Sequence, residues 1–397
     1  EQLEYVRILA SGNINHPDYA KAQAEYEKES QKWMQRKTQY EQIFQQVKGA
    51  DETLTSHFEK KDYTQKEVAA IKTDDQALIQ AKQIAQYMFS NDVVSMEDAV
   101  KELNDALESI NDRLNYNLNK DFKGRKTGDN PDDMSTKFYG NGNVKPVKKS
   151  ESHGTHVAGI IAAERNNGKG ANGVANNVEI MAIRSTPRGD EYDKDVALAI
   201  RYAVDNGAKV INGSFGKSFS PYADWVRDAI KYASDNDVVF VHAAGNDSKN
   251  VDVKPNFPDD NVNFIEVSNT YIRVGSLTSK YGSKMVSGFS NYGKRNVDIF
   301  APGSQIYSTV PNNGYEFNGG TSMAAPAVAG IAALVRSQYP NLSAAQVKQV
   351  ILDSGLHLTT KVVVGGDASN VKPFADLSKS GAIANAYNAL IMASKIK

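Results

Sequence analysis

Between Val178 and Ala244 short apolar runs alternate with stretches of helical periodicity, and this alternation constrains the fold more than any other feature of the chain. Val178 to Ile183 is predicted as a strand, Lys194 to Val204 as a helix, Val210 to Asn212 as a strand, Tyr222 to Ala233 as a helix and Val238 to Ala244 as a strand. Val238 to Ala244 reads as a buried parallel strand ending in small residues. Such alternation predicts an α/β architecture, a mostly parallel sheet with helices on both faces and sites at the C-terminal ends of the strands. Asn246, just past the last of these strands, falls where chemistry is expected.

The first part of the chain is a different kind of sequence. From Pro17 to Val47, Tyr19, Ala22, Tyr26, Trp33, Tyr40, Phe44 and Val47 recur at helical or heptad steps among Lys, Glu and Gln, which predicts one long amphipathic helix ended by Gly49. Thr64 with Glu67, Thr73 with Gln76 and Ser95 with Asp98 mark three later helix starts. The last of these helices carries Met96, Val100, Leu103, Leu107, Ile110, Leu114 and Leu118 at three- and four-residue steps. Two such stripes predict a helical hairpin packed on itself or on the α/β domain. The expected organisation is an all-α region over residues 1–120, a connection over 121–152 rich in Gly, Asn, Asp and Lys, and the α/β domain over 153–397.

Three segments carry candidate chemistry. Gly320-Thr321-Ser322-Met323-Ala324-Ala325-Pro326 places a serine between a glycine turn and an apolar helix running from Ala325 to Val335. There it is either a nucleophile backed by the unpaired N–H groups of a helix start, or an ordinary N-cap with Pro326 in the first turn. His153-Gly154-Thr155-His156 opens a second apolar helix, as a general base on a rigid element would. Asn246 supplies one side-chain amide donor at a strand end. His156 reads as a packed structural residue, since one helix turn cannot aim two imidazoles at one serine, and His242 as a satisfied core histidine.

His153, Asn246 and Ser322, in these contexts and this order, resemble the subtilisin-like serine proteases over residues 150–355. Gly173-Val174-Ala175, Ile211 to Gly216, Phe289 to Gly293 and Ala301-Pro302-Gly303 add to the likeness. The resemblance implies a subtilisin-like fold and a serine endopeptidase acting through an acyl-enzyme, with Ser322 as nucleophile, His153 as its base and Asn246 as oxyanion donor. It implies substrate binding by Ser214, Phe215, Gly216, Ala244 and Gly245, with Ser214 to Gly216 pairing with the peptide as an added strand and with broad specificity. No cofactor is expected for the chemistry, structural calcium is compatible with the family, and an extracytoplasmic setting, secreted or in the cell envelope, is implied. Gly213 departs from the larger apolar residue of many relatives, and Asn318-Gly319 from a common Leu-Ser.

The family's triad also needs a carboxylate on an apolar strand ending in Asp-Ser-Gly or Asp-Thr-Gly before the histidine, and no such strand precedes His153. Asp353-Ser354-Gly355 follows Ser322, at the end of a helix opened by a Ser343/Gln346 capping box, and is excluded by its place. Asp129, Asp132 and Asp133 stand among Gly128, Asn130 and Pro131 and read as a solvated acidic loop, with calcium held there or by Asn166, Asn167 and Gly168 as the sharper alternative. The expectation is therefore the larger fragment of a processed precursor, with the aspartate supplied by an N-terminal fragment. A subtilase fold kept only for peptide or protein binding is the rival reading.

Composition sets outer limits. With 397 residues, 40% of them hydrophobic, the chain can bury a large core beside a smaller domain. A formal charge of −1 gives no reason to expect nucleic acid or an acidic membrane as partner, and no cysteine means no disulfide and no thiol chemistry. No apolar run is long enough to span a bilayer, and Glu1-Gln2-Leu3-Glu4 does not resemble a signal peptide.

Overall fold

The computed structural model describes residues 2–90, 93–147, 151–186 and 189–396; Lys148, Lys149 and Ser150 of the expected connection lie outside them. It divides into two units, residues 1–126 with 188–190 and residues 127–187 with 191–397.

The first unit is helical: α1 (Glu4–Ala10), α2 (Tyr19–Phe58), α3 (Gln65–Ala70), α4 (Gln76–Ser90) and α5 (Met96–Asp112). Gly49 does not end α2, which continues to a left-handed C-cap at Glu59. The reason is packing beyond the glycine. Val47, Ala50 and Leu54 continue the buried stripe at three- and four-residue steps and share one core with Leu78, Ala81 and Ala85 of α4 and Met96 and Ala99 of α5. Thr64 and Glu67 form a complete capping box on α3, and the Ser95 hydroxyl accepts the Asp98 N–H at the start of α5. At α4 the cap is Asp75 rather than Thr73: its carboxylate accepts the Ala77 N–H at 2.8 Å, while Thr73 Oγ1 accepts the Asp75 N–H.

The second unit opens with α6 (His153–Ala162), α7 (Asp193–Asp205), β1 (Val210–Gly213), α8 (Ala223–Asp235) and β2 (Val239–Ala243). A small pair, β3 (Asn261–Val262) and β4 (Ile265–Glu266), precedes β5 (Tyr271–Leu277), β6 (Ile299–Pro302) and the hairpin of β7 (Ile306–Val310) and β8 (Gly314–Asn318). Then come α9 (Thr321–Gln338), α10 (Ala344–Asp353), β9 (Leu356–His357), the hairpin of β10 (Lys361–Val364) and β11 (Asp367–Pro373), β12 (Ala382–Ile383) and α11 (Ala386–Ala393).

The main sheet runs β1-β2-β5-β6-β12-β9, parallel except for β9. Alternate residues of one strand serve opposite faces. Val239, Val241, Ala243, Ile272 and Val274 pack with α9, α10 and α11, whereas Val238, Phe240 and Tyr271 pack with α7 and α8. Helices therefore cover both faces, as a parallel sheet requires. Val178 to Ile183, expected as a strand, has no place in this sheet: it carries no regular structure, and Ile180, Met181 and Ile183 are 46%, 41% and 37% exposed. An apolar run becomes a strand only beside a pairing neighbour, and no neighbour pairs with it among the described residues.

Gly49 lies on the exposed side of α2, with nothing within 4 Å of where a Cβ would stand. Gly49→Ala is expected to raise the unfolding free energy of the helical unit by about 0.5–1 kcal/mol, since alanine has less backbone entropy to lose. Helix-monitored denaturant titration reads this, and an unchanged or lowered value would show that the position is constrained in some other way.

Candidate functional site

Ser322 is the second residue of α9, and Gly320, not the serine, is the N-cap. Gly320 takes φ 156°, a conformation that residues with a Cβ rarely adopt, so glycine allows the turn to close on the β2 end. Thr321 makes the closure specific. Its N–H and Oγ1–H both donate to Asn246 Oδ1, at 2.8 and 2.9 Å, while Oγ1 accepts the Gly245 N–H at 3.0 Å. Because Oδ1 takes both donors, the Asn246 amide has one orientation, with Nδ2 as its donor atom on an exposed residue. Beside it the Thr321 N–H is taken by Asn246 Oδ1 and the Met323 N–H by the Gly320 carbonyl at 3.0 Å, which leaves the Ser322 N–H as the donor of the first turn that could meet a negatively charged oxygen.

Pro326 lies inside α9 rather than in its first turn, because the helix starts four residues earlier than the apolar pattern predicts. Having no N–H, Pro326 leaves the carbonyl of Ser322, four residues back, without its helical donor. Ser214 Oγ donates to that carbonyl at 2.8 Å and accepts from Asn212 Nδ2 at 2.9 Å. Ser322 Oγ in turn donates to the Ser214 carbonyl at 3.2 Å. The serine turn and the segment after β1 are thus joined reciprocally. The rest of that segment is held as well: the Phe215 carbonyl faces His242 Nε2 at 2.7 Å, and the Gly216 N–H donates to a Glu191 carboxylate oxygen at 3.2 Å. The Ala244 carbonyl accepts from Asn291 Nδ2 at 2.9 Å and Asn256 Nδ2 at 3.3 Å.

His153 is the first residue of α6, and α6 packs on α9 through Val157, Ile160 and Met323. Its side chain meets solvent, yet desolvation by the packing around it, and His156 one turn on, hold its pKa below the ordinary histidine value. Among the described residues no hydrogen bond or ion pair joins His153 to Ser322 or to a carboxylate. His156 is buried, its Nε2 3.1 Å from the carbonyls of Ile306 and Glu316, and so ties α6 to the β7–β8 hairpin as a structural residue. Asp353 is an exposed helix end bonded to Gln349, away from any catalytic role.

The acidic loop is not simply solvated. The Asp129 carboxylate is buried against Lys194 Nζ at 2.7 Å, both side chains 0% exposed, and the ammonium also donates to the Asn130 carbonyl at 2.8 Å beneath the Tyr139 ring. Lys194 therefore stands where a cation would sit between Asp129 and Asn130. The Asn166 and Gly168 positions take left-handed turn geometry, and among the described residues no group of three or more acidic, His or Cys side chains could hold a metal.

Reading by residue type missed Thr321, Asn291, Asn256 and Glu191. Thr321 and Asn291 lie within the serine and Phe289 to Gly293 motifs, but their hydrogen bonds to Asn246 and Ala244 join residues far apart in the chain. Glu191 and Asn256 lay in no motif.

The model of the subtilase family matches residues 6–370. A thermophilic serine proteinase from Bacillus sp. (strain AK1) is 42% identical over 191 residues, 48% of this chain and 44% of that protein. The cell wall-associated protease of Bacillus subtilis (strain 168) is 34% identical over 279 residues, 70% of this chain and 28% of that protein. Thermitase from Thermoactinomyces vulgaris is 40% identical over 221 residues, 55% of this chain and 70% of the enzyme. The chain spans less than half the length of the first two relatives.

Removing the ammonium while keeping its stem tests the buried pair. Lys194→Met is expected to lower stability by about 3–5 kcal/mol, because Asp129 is left charged and buried. Equilibrium unfolding measures the loss, and Lys194→Met with Asp129→Asn should recover most of it; a single variant as stable as the wild type would show that the pair contributes nothing.

Proposed function

Because the chain belongs to the subtilase family, we propose that it is the catalytic part of a serine endopeptidase, with Ser322 as nucleophile, His153 as base and Asn246 as oxyanion donor. The observation that carries this reading is the lock of Thr321 on Asn246 Oδ1, which leaves Nδ2 as the donor of that amide, with Nδ2 and the Ser322 nitrogen 3.4 and 3.6 Å from the point where a Cβ on Gly320 would stand. Ser322 Oγ attacks the scissile carbonyl and its proton passes to His153. The oxyanion takes hydrogen bonds from Asn246 Nδ2 and the Ser322 N–H, and His153 returns the proton to the leaving amine as the acyl-enzyme forms. Water then repeats the sequence. A peptide lies along Ser214 to Gly216 as an added strand, its N–H replacing Ser322 Oγ on the Ser214 carbonyl and freeing the hydroxyl to turn to His153. Backbone pairing of this kind supports broad specificity, and an extracytoplasmic setting accords with the cell-wall relative.

The carboxylate that orients His153 is proposed to come from a partner, an N-terminal fragment carrying an apolar strand that ends in Asp-Ser-Gly or Asp-Thr-Gly. Two features support a strand acceptor: β1 is the edge of the sheet, and Val178 to Ile183 exposes apolar side chains with no pairing neighbour among the described residues. The bare His153 ring also favours the rival reading, a subtilase fold used only to bind peptides.

Ser322→Ala is expected to abolish hydrolysis and labelling by a phosphonofluoridate, with the circular dichroism spectrum unchanged. Asn246→Ala should slow turnover by about 10²–10³-fold, the range known for loss of this donor in a subtilisin. No labelling of the wild-type chain, with or without the strand peptide, would favour the binding protein.

The pH profile tests the supplied carboxylate. Activity requires neutral His153 and falls as pH drops through its pKa, so the acid limb of the chain alone should lie below the ordinary histidine value. A carboxylate beside the ring stabilises the imidazolium and moves that limb upward. Adding a peptide with the Asp-bearing strand should shift the limb up and raise turnover by about four powers of ten, following removal of the corresponding aspartate in a subtilisin. A peptide that binds without moving the limb, or a chain already as fast alone, would refute it.

A further inference from the structure

His242 is completely buried in β2, and its two ring nitrogens reach the segment after β1 on one side and Tyr271 on the other. Nε2 lies 2.7 Å from the Phe215 carbonyl, an acceptor only, so Nε2 carries the proton. Nδ1 then accepts, and Tyr271 Oη lies 2.9 Å from it. Arg273, also buried, donates Nε to Tyr271 Oη at 3.3 Å and Nη2 to the carbonyls of Pro258 and Asn256, at 2.8 and 3.1 Å. Tyr271 Oη also lies 2.9 Å from the Pro258 carbonyl, so its single proton faces two acceptors, that carbonyl and His242 Nδ1, while Arg273 Nε donates to the same oxygen. Burial and the guanidinium charge push the His242 pKa down to about 3, so one neutral tautomer persists across the working pH range.

The departure at Gly213 belongs to this arrangement. Gly213 pairs with His242 across the parallel strands, and a Cβ there would come within 3.0 Å of Phe240 Cζ and 3.4 Å of His242 Cδ2. The absent side chain leaves room for the two rings. The Phe215 carbonyl is flanked by the Ser214 carbonyl and the Gly216 N–H, which are bonded to Ser322 Oγ and to a Glu191 carboxylate oxygen and which a peptide would take over from them.

Resting on the peptide-strand reading above, we propose that His242 is a positioning residue for substrate backbone recognition: by holding the Phe215 carbonyl inward it sets the Ser214 carbonyl and the Gly216 N–H outward for an extended peptide. It touches neither the reacting atoms nor the substrate. Its effect therefore falls on peptides that use the strand and spares reagents that reach Ser322 alone.

The test compares His242→Phe, which keeps a ring but loses the donor, with His242→Gln, which keeps a donor. Binding of an extended tetrapeptide amide is measured by calorimetry on Ser322→Ala protein, and phosphonofluoridate labelling on the protein with Ser322 intact. His242→Phe should weaken tetrapeptide binding by roughly tenfold, the scale of one hydrogen bond, with labelling rate unchanged, and His242→Gln should recover most of the binding. Equal losses in binding and labelling, or unaltered binding in His242→Phe, would overturn the proposal. If His242→Phe fails to fold, Gly213→Met, which crowds the ring from the other strand, gives the same readouts: selective loss of peptide binding supports the role, and unaltered binding overturns it. A parent protein that labels but binds no tetrapeptide would sink the strand reading itself, whereas one that binds but does not label would sink the enzyme reading alone.

Discussion

The close seat of α9 on the parallel sheet is the constraint on which the rest of the second unit depends. Ala324, Ala325, Val328, Ala329, Ala332 and Val335 are buried against β2, β5 and β6, and their small size lets a helix backbone approach a sheet closely. A helix seated so deeply has little freedom to slide. Its N-terminus is consequently fixed beside the C-terminal ends of the strands, where Thr321 meets Asn246 and Ser322 meets the segment after β1.

Backbone groups that regular structure leaves over are used to assemble this corner. Pro326 withholds an N–H from the Ser322 carbonyl, and Ser214 supplies the donor instead. The Ala244 carbonyl, past the end of β2, accepts from the amides of Asn291 and Asn256. Thr321 serves the Gly245 N–H and the Asn246 side chain together. Each contact satisfies a backbone or side-chain polar group, and each ties one of the candidate segments to another. Stability and positioning here have the same physical origin.

The helical unit shows a different balance. Its core is assembled from isolated positions of long polar helices, so that α2 depends on Val47, Ala50 and Leu54 meeting α4 and α5. Local propensity alone would have ended α2 at Gly49. Tertiary burial outweighs the roughly 1 kcal/mol that a helix-interior glycine costs.

What the sequence determined by itself was local and periodic. Helix starts with a side-chain cap at Thr64, Ser95 and Ser343, the runs that became β1 and β2, and the serine, histidine and asparagine segments were all legible, because capping and amphipathic period act within a few residues. Tertiary structure decided the rest. Val178 to Ile183 has the composition of a strand and no pairing neighbour among the described residues, since pairing is a property of two segments. Asp129 looked solvated until Lys194, distant in the chain, buried it. His242 reads as a satisfied core histidine from the sequence, and only the folded sheet shows that the Phe215 carbonyl is what satisfies it. A hydrogen bond between residues far apart in sequence leaves no local periodicity, so its geometry can be read only where the chain has brought both partners together.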